Sequence, residues 1–328
     1  MRFRTAVKVR AEEVSINHSH SVLLMGSCFV EHIGKKLNES KFNVQINPYG
    51  VLYNPLSIAL SLKEILEGKP YLPQDLFYHQ GLWHSAMHHS TFSDASHSTV
   101  LERINQRMEK AHDFLGQMDF LILTFGSAWV YQSRSENQIV GNCHKLPESC
   151  FHRRRVEVNE IVAVWNDLLE TLMQRKPSLK IIFTVSPIRH IRDGLHENQL
   201  SKSTLLLAID ELQKRWKKNI HYFPAYEIAL DELRDYRFFA DDMCHPSALA
   251  IDFIWEKFVH FAISSDSKGV MAACEEINKA LSHRPFDYQS EAHQLFLKNL
   301  ILKIEELSKR YPNLAFNKEI ELCRTQLI

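Results

Sequence analysis

The sequence predicts an α/β protein, in which a parallel sheet of about five strands lies between two layers of helices and a C-terminal helical appendage follows. Three short, largely apolar runs indicate strands that are covered on both faces. These runs are residues 22–25 (VLLM), 119–125 (DFLILTF) and 180–186 (KIIFTVS). Segments with helical periodicity alternate with them, and this alternation is typical of a parallel sheet.

The predicted elements alternate along the first two thirds of the chain. The strands are predicted at residues 22–25, 42–46, 119–125, 180–186 and 220–223. The helices of this region are predicted to begin at Cys28 and then to cover residues 55–66, 99–115, 156–174, 201–216 and 227–233. Residues 70–95 are expected to be irregular, and a loop is expected after Trp129.

The last third of the chain has no strand pattern. Helices are predicted there at residues 248–263, 271–281, 289–307 and 318–327. We therefore expect an α/β domain at residues 1–282 and a helical extension, residues 283–328, packed on it.

The composition indicates a globular protein of the cytoplasm. The 328 residues are 45% hydrophobic and 24% charged, and the formal net charge is zero, so nucleic acid is not expected as a partner. No apolar run is long enough to cross a bilayer and no signal-peptide pattern is present, so membrane insertion is not expected either. Six cysteines in a chain of this size do not form a disulfide framework, which favours a reducing compartment.

The junction of the first strand and the first helix is the first chemically informative stretch. Gly26 ends the apolar run at a sharp turn, and Phe29, Ile33 and Leu37 repeat with helical spacing. A side chain in the first helical turn lies near unpaired N–H groups and the positive end of the helix dipole. These groups can stabilise a thiolate at Cys28 or an oxyanion on a bound substrate. The alternative is a buried cysteine that serves only packing.

The second informative stretch is residues 241–247 (DDMCHPS). Pro246 suits the first position of a helix, which places His245 in the preceding loop. Asp242 can fold back to accept a hydrogen bond from the imidazole, fixing its tautomer and stabilising the imidazolium. His245 can then act as a general base for Ser27 or Cys28. The alternative is a helix cap beside a histidine without a catalytic role.

Together, these stretches and several further motifs resemble the GSCFA family, which belongs to the SGNH (GDSL-type) hydrolase superfamily. The matching motifs are residues 47–50 (NPYG), 53–55 (YNP), 83–85 (WHS), 88–90 (HHS), 126–129 (GSAW), 142–145 (NCHK) and 186–190 (SPIRH). They lie between about Leu23 and His245, so the resemblance covers most of the chain. It implies a three-layer, flavodoxin-like fold and acyl-ester chemistry.

The resemblance also implies roles for individual residues. The first superfamily motif is Gly-Asp-Ser, so direct alignment favours Cys28 as the nucleophile, whereas a shift by one residue favours Ser27. The glycine of the second motif, which helps to bind the oxyanion, corresponds to Gly50. Gly126 begins the third motif, Gly-x-Asn, but an alanine stands where the asparagine belongs. Asn142 is a candidate to replace that asparagine from a neighbouring loop.

Two further groups of polar residues are candidates for the substrate site. His89, in the histidine-rich segment, is expected to line the cleft or to hydrogen-bond within its loop. Arg189, His190 and Arg192 follow a strand end at the expected active face and can hold a carboxylate or a phosphate. The alternative for this segment is a solvated turn. Residues 153–155 (RRR) are expected to be a surface charge run, and Trp129 and Tyr131 are expected to pack in the core.

The sequence therefore predicts an esterase, acyl hydrolase or acyltransferase that uses nucleophile–His–Asp covalent catalysis. Its expected partner is a small-molecule or glycan acyl ester, or a thioester, and no cofactor or metal is expected. One alternative is a catalytically inactive module that binds a carbohydrate or acyl ligand, because the asparagine of the third motif is missing. The other is a zinc-dependent hydrolase, because zinc-ligand residue types occur, although none has a standard zinc-site spacing. Those residues are His84, His88 and His89, with Cys28, Cys244 or His245.

Overall fold

The structure is a computed structural model that describes residues 4–327. Its strands are β1 (Ser21–Gly26), β2 (Asn43–Ile46), β3 (Leu76–His79), β4 (Leu82–Ser85), β5 (Met118–Phe125), β6 (Trp129–Ser133), β7 (Ile139–Val140), β8 (Phe151–Arg155), β9 (Lys180–Val185) and β10 (Ile220–Tyr222). Its α-helices are α1 (Cys28–Glu39), α2 (Pro55–Glu67), α3 (His97–Gln117), α4 (Val158–Arg175), α5 (Gly194–Arg215), α6 (Ala225–Glu227), α7 (Ala248–Ala262), α8 (Ser265–Ser282), α9 (Glu291–Arg310) and α10 (Asn317–Arg324). A π-helix, Ile228–Glu232, continues α6.

The central sheet confirms the predicted fold class. Its five strands are parallel, in the order β10-β9-β5-β1-β2, and every residue of β1 is buried. Strand β1 lies between β5 and β2, so its apolar side chains pack against helices on both faces. Because the carboxyl ends of parallel strands meet at one edge, the segments that follow β1, β5 and β9 gather there.

Two apolar cores enclose this sheet, one on each face. Helices α2, α3, α4 and α5 cover one face around Trp165, whose indole N–H donates to the carbonyl of Pro55 at 3.1 Å. Helices α1 and α7 cover the other face, where Phe29, Phe223 and Phe258 are buried. The sheet therefore forms the middle layer of three.

The structure differs from the prediction between residues 70 and 95, which are not irregular throughout. Strands β3 and β4 pair as an antiparallel hairpin across Gln80 and Gly81. Both turn residues have positive φ, 48° and 84°, as a tight two-residue hairpin turn requires. The strands are short and partly exposed, and Gln80 is not a typical residue for the first turn position, so the hairpin left little pattern in the sequence.

The segment after Trp129 also differs from the predicted loop. Strands β6, β7 and β8 form a three-stranded antiparallel sheet, in the order β7-β6-β8. The expectation that residues 153–155 are a surface charge run is wrong, because these arginines lie in β8 and pair with carboxylates. Arg153 binds Asp193 with two nitrogens, at 2.7 and 2.5 Å, and the next two arginines pair with Glu160 and Glu197. These ion pairs attach β8 to the beginnings of α4 and α5.

The C-terminal helices have an apolar cluster of their own, which includes Ile277, Leu300, Ile304 and Phe316. Helix α8 contributes to this cluster, so the predicted domain division at residue 283 falls after the first of its three helices. Among residues 4–327, no helix is both long enough and apolar enough to span a membrane.

Candidate active site

A cleft of about 420 Å³ opens at the carboxyl edge of the central sheet. Its lining combines the segments after β1, β5 and β9 with one side of the small antiparallel sheet. Five of the residues predicted for the site line this cleft. They are Ser27, Asn142, Arg189, His190 and His245.

Asp242 orients the imidazole of His245. One oxygen of the carboxylate, Oδ2, lies 2.5 Å from Nδ1 of His245. The other, Oδ1, accepts the backbone N–H groups of His245 and Cys244, both at 2.9 Å. These backbone bonds, together with the imidazole bond, lower the pKa of Asp242 to about 2. An ionised Asp242 keeps the proton of the neutral imidazole on Nδ1, so the lone pair on Nε2 is available to a base-catalysed reaction.

Cys28 is the first residue of α1, and its side chain is partly exposed. Its Sγ lies 3.7 Å from the hydroxyl of Tyr53, which lines the cleft. Burial raises the pKa of the Cys28 thiol, although the Tyr53 hydroxyl opposes this effect. Burial thus opposes the thiolate that the helix terminus was expected to favour here, and a base would help the thiol to become a nucleophile.

Ser27 caps the beginning of α1 and is only 1% exposed. Within residues 4–327, its hydroxyl is buried and has no hydrogen-bond partner. Gly126 lies against it, since a Cβ on Gly126 would come 3.5 Å from the Cβ of Ser27 and 3.1 Å from the carbonyl oxygen of Tyr53. Glycine at position 126 thus allows the segments after β1 and β5 to approach each other closely.

His245 lines the cleft together with Ser27, the residue that precedes α1. Burial is the main cause of a lowered pKa at His32, one turn beyond Cys28, and the charge of His245 contributes to it. Among the described residues, neither Cys28 nor Ser27 hydrogen-bonds to the imidazole of His245. Catalytic hydrogen bonds are often long in a free enzyme and shorten when substrate binds.

Gly50 and His89 lie together but do not line the cleft. The N–H of Gly50 donates to the carbonyl of Asn47 at 2.8 Å, so it is already used in a turn. Gly50 has φ of 75°, and a Cβ there would come 2.3 Å from the Cβ of His89. The ring of His89 contacts Thr91 at 3.2 Å. The structure therefore explains the glycine by its turn and by this close approach.

Two asparagine amides do line the cleft, Asn142 and Asn54. The Oδ1 of Asn142 accepts the N–H of His144 at 2.9 Å, and the Oδ1 of Asn54 accepts the N–H of Ser57 at 2.8 Å, at the start of α2. In each case the oxygen is used, so Nδ2 is the atom left to donate to a ligand. The sequence analysis included Asn54 in the motif at residues 53–55 but not among the site residues; its position just before Pro55, at a helix start, is the signal that marks it as a cap.

A buried lysine, also missed by the sequence analysis, fixes the floor of the cleft. Nζ of Lys202 donates to the carbonyls of Gly126, at 2.6 Å, and Ser186, at 2.8 Å. Burial lowers the pKa of Lys202 to about 7. His190 shares the Gly126 carbonyl through Nε2 at 3.0 Å, and burial lowers its pKa to about 4. These bonds join the ends of β5 and β9.

The expectation that Trp129 and Tyr131 pack in the core is also wrong, because both are only partly buried and line the cleft. The guanidinium of Arg153 lies 4.1 Å above the ring of Trp129. The hydroxyl of Tyr131 accepts a hydrogen bond from Arg192 at 2.5 Å. Strand β6 thus gives the cleft an aromatic wall.

The histidine-rich segment forms a packed cluster. The rings of His84 and His144 lie 4.4 Å apart, and His88 stacks on Tyr49 at 4.3 Å. Ser85 contacts Nδ1 of His88 at 2.9 Å. Across residues 4–327, no three or more His, Cys, Asp or Glu side chains are grouped in a way that could hold a metal ion.

Comparisons with known proteins identify a family. The model of the GSCFA family matches residues 21–258, and that of the C-terminal domain of GSCFA domain proteins matches residues 274–328. None of the curated protein sequences matches the chain.

Solved structures with a similar chain path include two esterases. A carbohydrate esterase family 3 protein from Talaromyces cellulolyticus is 8% identical, with 78% of this chain and 99% of that chain covered and a TM-score of 0.35. An acetyl xylan esterase from the rumen bacterium Butyrivibrio proteoclasticus is 10% identical, with 75% and 64% covered and a TM-score of 0.38.

Proposed function

The chain belongs to the GSCFA family, and we propose that it cleaves or transfers the acyl group of a small-molecule or glycan ester, or of a thioester. The observation that carries this proposal is the Asp242–His245 pair, whose histidine lines the cleft together with Ser27, the residue that precedes Cys28 at the start of α1. An oriented imidazole beside a nucleophilic side chain is the arrangement that covalent acyl transfer requires.

We assign the attacking atom to Sγ of Cys28. Its side chain is partly exposed and contacts the hydroxyl of Tyr53, a residue of the cleft lining, whereas the Ser27 hydroxyl is buried in this conformation. As Sγ attacks the acyl carbon, His245 Nε2 takes the thiol proton, and Asp242 stabilises the resulting imidazolium. The tetrahedral intermediate then expels the alcohol or thiol, to which His245 returns the proton. A water or an acceptor hydroxyl, deprotonated by His245, next attacks the acyl-cysteine and regenerates the thiol.

The oxyanion that forms in each step needs donors on the cleft side. The N–H of Cys28 is in the first helical turn, where backbone N–H groups have no intrahelical acceptor. The amide nitrogens of Asn142 and Asn54 are the side-chain donors that line the cleft. They take the place of the asparagine missing from the third motif, and of Gly50, whose N–H is bonded to Asn47.

Ser27 is the second candidate for the nucleophile, because it lines the cleft and its hydroxyl lacks a partner within residues 4–327. A buried hydroxyl without a hydrogen bond is uncommon and is often functional. Attack by Ser27 requires its side chain to become exposed when substrate binds.

Trapping of the acyl-enzyme tests the proposal. The protein is mixed with 4-nitrophenyl acetate, the burst of 4-nitrophenol is followed, and peptide mass mapping locates the acetyl group. We expect acetylation of Cys28, and a rate that falls by about 100-fold or more in His245→Ala. Cys143 is the control thiol, since it lines the cleft and burial raises its pKa to about 11. Acetyl on Ser27 moves the nucleophile by one residue, and no His245-dependent acetylation at either residue favours an inactive binding module.

A further inference from the structure

A second cavity, of about 490 Å³, adjoins the cleft. Its walls are largely apolar and come from the start of α5 and from the segment around α6 and the π-helix. The apolar side chains are Leu195, Tyr226, Leu230, Leu233 and Phe239. Arg189 is the residue common to the linings of the cleft and of this second cavity. It therefore lies in the wall between them.

Arg189 differs from the other arginines of the cleft in having no counter-ion. Arg153 is paired with Asp193, and Arg192 is paired with Glu148. Arg189 forms no ion pair and no side-chain hydrogen bond with any residue of the described range 4–327. Its positive charge is thus available to a ligand.

The guanidinium of Arg189 is nevertheless held in place. Its central carbon lies 4.0 Å from the centre of the Phe239 ring. A guanidinium stacked on a ring uses its face, and the N–H donors in its plane stay free for a planar or tetrahedral oxyanion. The backbone N–H of Arg189 also donates to the carbonyl of Cys244 at 3.2 Å, which attaches it to the loop that carries His245.

Other charges near the second cavity do not neutralise Arg189. Asp231 and Arg234 lie on its rim, are exposed, and cancel each other in formal charge. Asp235, also on the rim, is paired with Arg237 at 2.8 Å. The uncompensated charge that faces both cavities is that of Arg189. A partly buried cation without a partner is costly unless a ligand supplies the opposite charge.

We infer that the substrate carries a carboxylate or a phosphate, and that Arg189 binds this group while an apolar part of the substrate enters the second cavity. This inference rests on the proposed acyl chemistry. It adds to that chemistry a substrate class, the anionic esters, and a residue that selects it.

Three acetate esters that differ only in their para substituent test the inference. They are 4-acetoxybenzoate, 4-acetoxyphenyl phosphate and the neutral methyl 4-acetoxybenzoate. We expect wild-type kcat/KM, corrected for the uncatalysed rate, to be higher for at least one anionic ester than for the neutral one. Arg189→Gln should lower the ratio of anionic to neutral kcat/KM by about 10- to 100-fold, because a charged hydrogen-bonded contact is lost. The anionic ester whose kcat/KM falls more in Arg189→Gln identifies whether Arg189 binds a carboxylate or a phosphate.

Two further variants make the test specific. Arg192→Gln removes one arginine from the same cleft, but one that is already paired, so the ratio should change by no more than a few-fold. Arg189→Lys keeps the charge without the planar fork and should restore the ratio in part, which also covers the case in which the glutamine variant does not fold.

A binding measurement separates this inference from the proposed function. Calorimetry with benzoate and phenyl phosphate requires no turnover and compares wild type with Arg189→Gln. Anion binding that depends on Arg189, without hydrolysis of any ester, supports the anion site and contradicts the proposed enzyme activity. Hydrolysis with no preference for the charged esters, and a ratio unchanged in Arg189→Gln, overturns the inference and leaves the enzyme activity standing. Absence of both anion binding and hydrolysis overturns both.

Discussion

Lys202 should make the stability of this protein increase with pH above neutrality. The residue is 1% exposed, and within residues 4–327 its ammonium group donates hydrogen bonds to two backbone carbonyls and to no other group, at 2.6 and 2.8 Å. Burial without a counter-ion lowers its pKa to about 7 from an ordinary 10.5. Replacement by methionine keeps the length of the side chain and removes the charge.

The expected magnitude follows from these two pKa values. Between about pH 7 and 10.5 the unfolded chain binds the Lys202 proton and the folded chain does not, so the free energy of unfolding rises with pH. Integration from pH 7 to pH 9 gives a rise of about 2 kcal/mol from this residue alone. His190, which shares the Gly126 carbonyl, is neutral across this window because its pKa is about 4.

Urea unfolding at pH 7 and pH 9 measures this difference in wild type and in Lys202→Met. The variant should lack the rise of about 2 kcal/mol that Lys202 contributes, although its stability at a single pH also reflects the two lost hydrogen bonds. Lys217→Met makes the same chemical change at an exposed lysine and should keep the wild-type pH dependence. Equal pH dependence in wild type and Lys202→Met would refute the reasoning.

Three further predictions concern the imidazole of His245, the turn at Gly26 after β1, and the stability of the fold in acid. In Asp242→Asn the side-chain amide N–H would donate a hydrogen bond to Nδ1 of His245, which moves the imidazole proton to Nε2 and should slow acetylation by about 100-fold or more. A ring-nitrogen NMR spectrum that still shows the Nδ1–H tautomer contradicts this. Gly26→Ala places a Cβ 2.2 Å from a carbonyl oxygen of β5, at a residue whose φ is 139°, and should lower the free energy of unfolding by at least about 3 kcal/mol. Gly116→Ala, where a Cβ would have no atom within 4 Å, should not lower it in the same urea assay. Burial lowers the pKa of His88 to about 3 from 6.5, so between pH 7 and pH 5 the unfolded state binds more protons than the folded state. The free energy of unfolding should therefore fall by about 2 kcal/mol from pH 7 to pH 5 because of this residue. His88→Gln should lack this part of the fall, and a fall equal to that of wild type would disprove the prediction.

The central sheet was predictable because strands that are buried on both faces are continuous apolar runs in the sequence. Strands β1, β5 and β9 have this pattern, and the parallel arrangement of the sheet was predicted from strand–helix alternation. Strands β3, β4 and β6 to β8 were not predicted, because they are short and partly exposed and polar residues interrupt them. Arg153 illustrates this, since its role depends on Asp193, 40 residues away, and not on its neighbours.

In the candidate site, contacts between residues close in sequence were predictable, whereas contacts between distant residues were not. The bond between Asp242 and His245 was predictable because the two residues are three positions apart in one loop. Lys202 was not, because a lysine within an amphipathic helix resembles a solvated one until the fold places it under two strand ends. The cleft position of Asn54 likewise depends on the hydrogen bonds from Gly126 and Ser127, after β5, to the carbonyl of Tyr53, and no local pattern predicts these bonds.

The place of β1 in the sheet has a consequence for how the chain folds during synthesis. Strand β1 is synthesised roughly 90 residues before its neighbour β5. The apolar segment of β1 therefore lacks one of its two partner strands while the intervening chain is synthesised. His245 follows Cys28 by roughly 200 residues, after the last strand of the sheet. A nascent chain that stops short of His245 therefore carries Cys28 without its proposed base, and the proposed chemistry requires nearly the whole α/β domain to have been made.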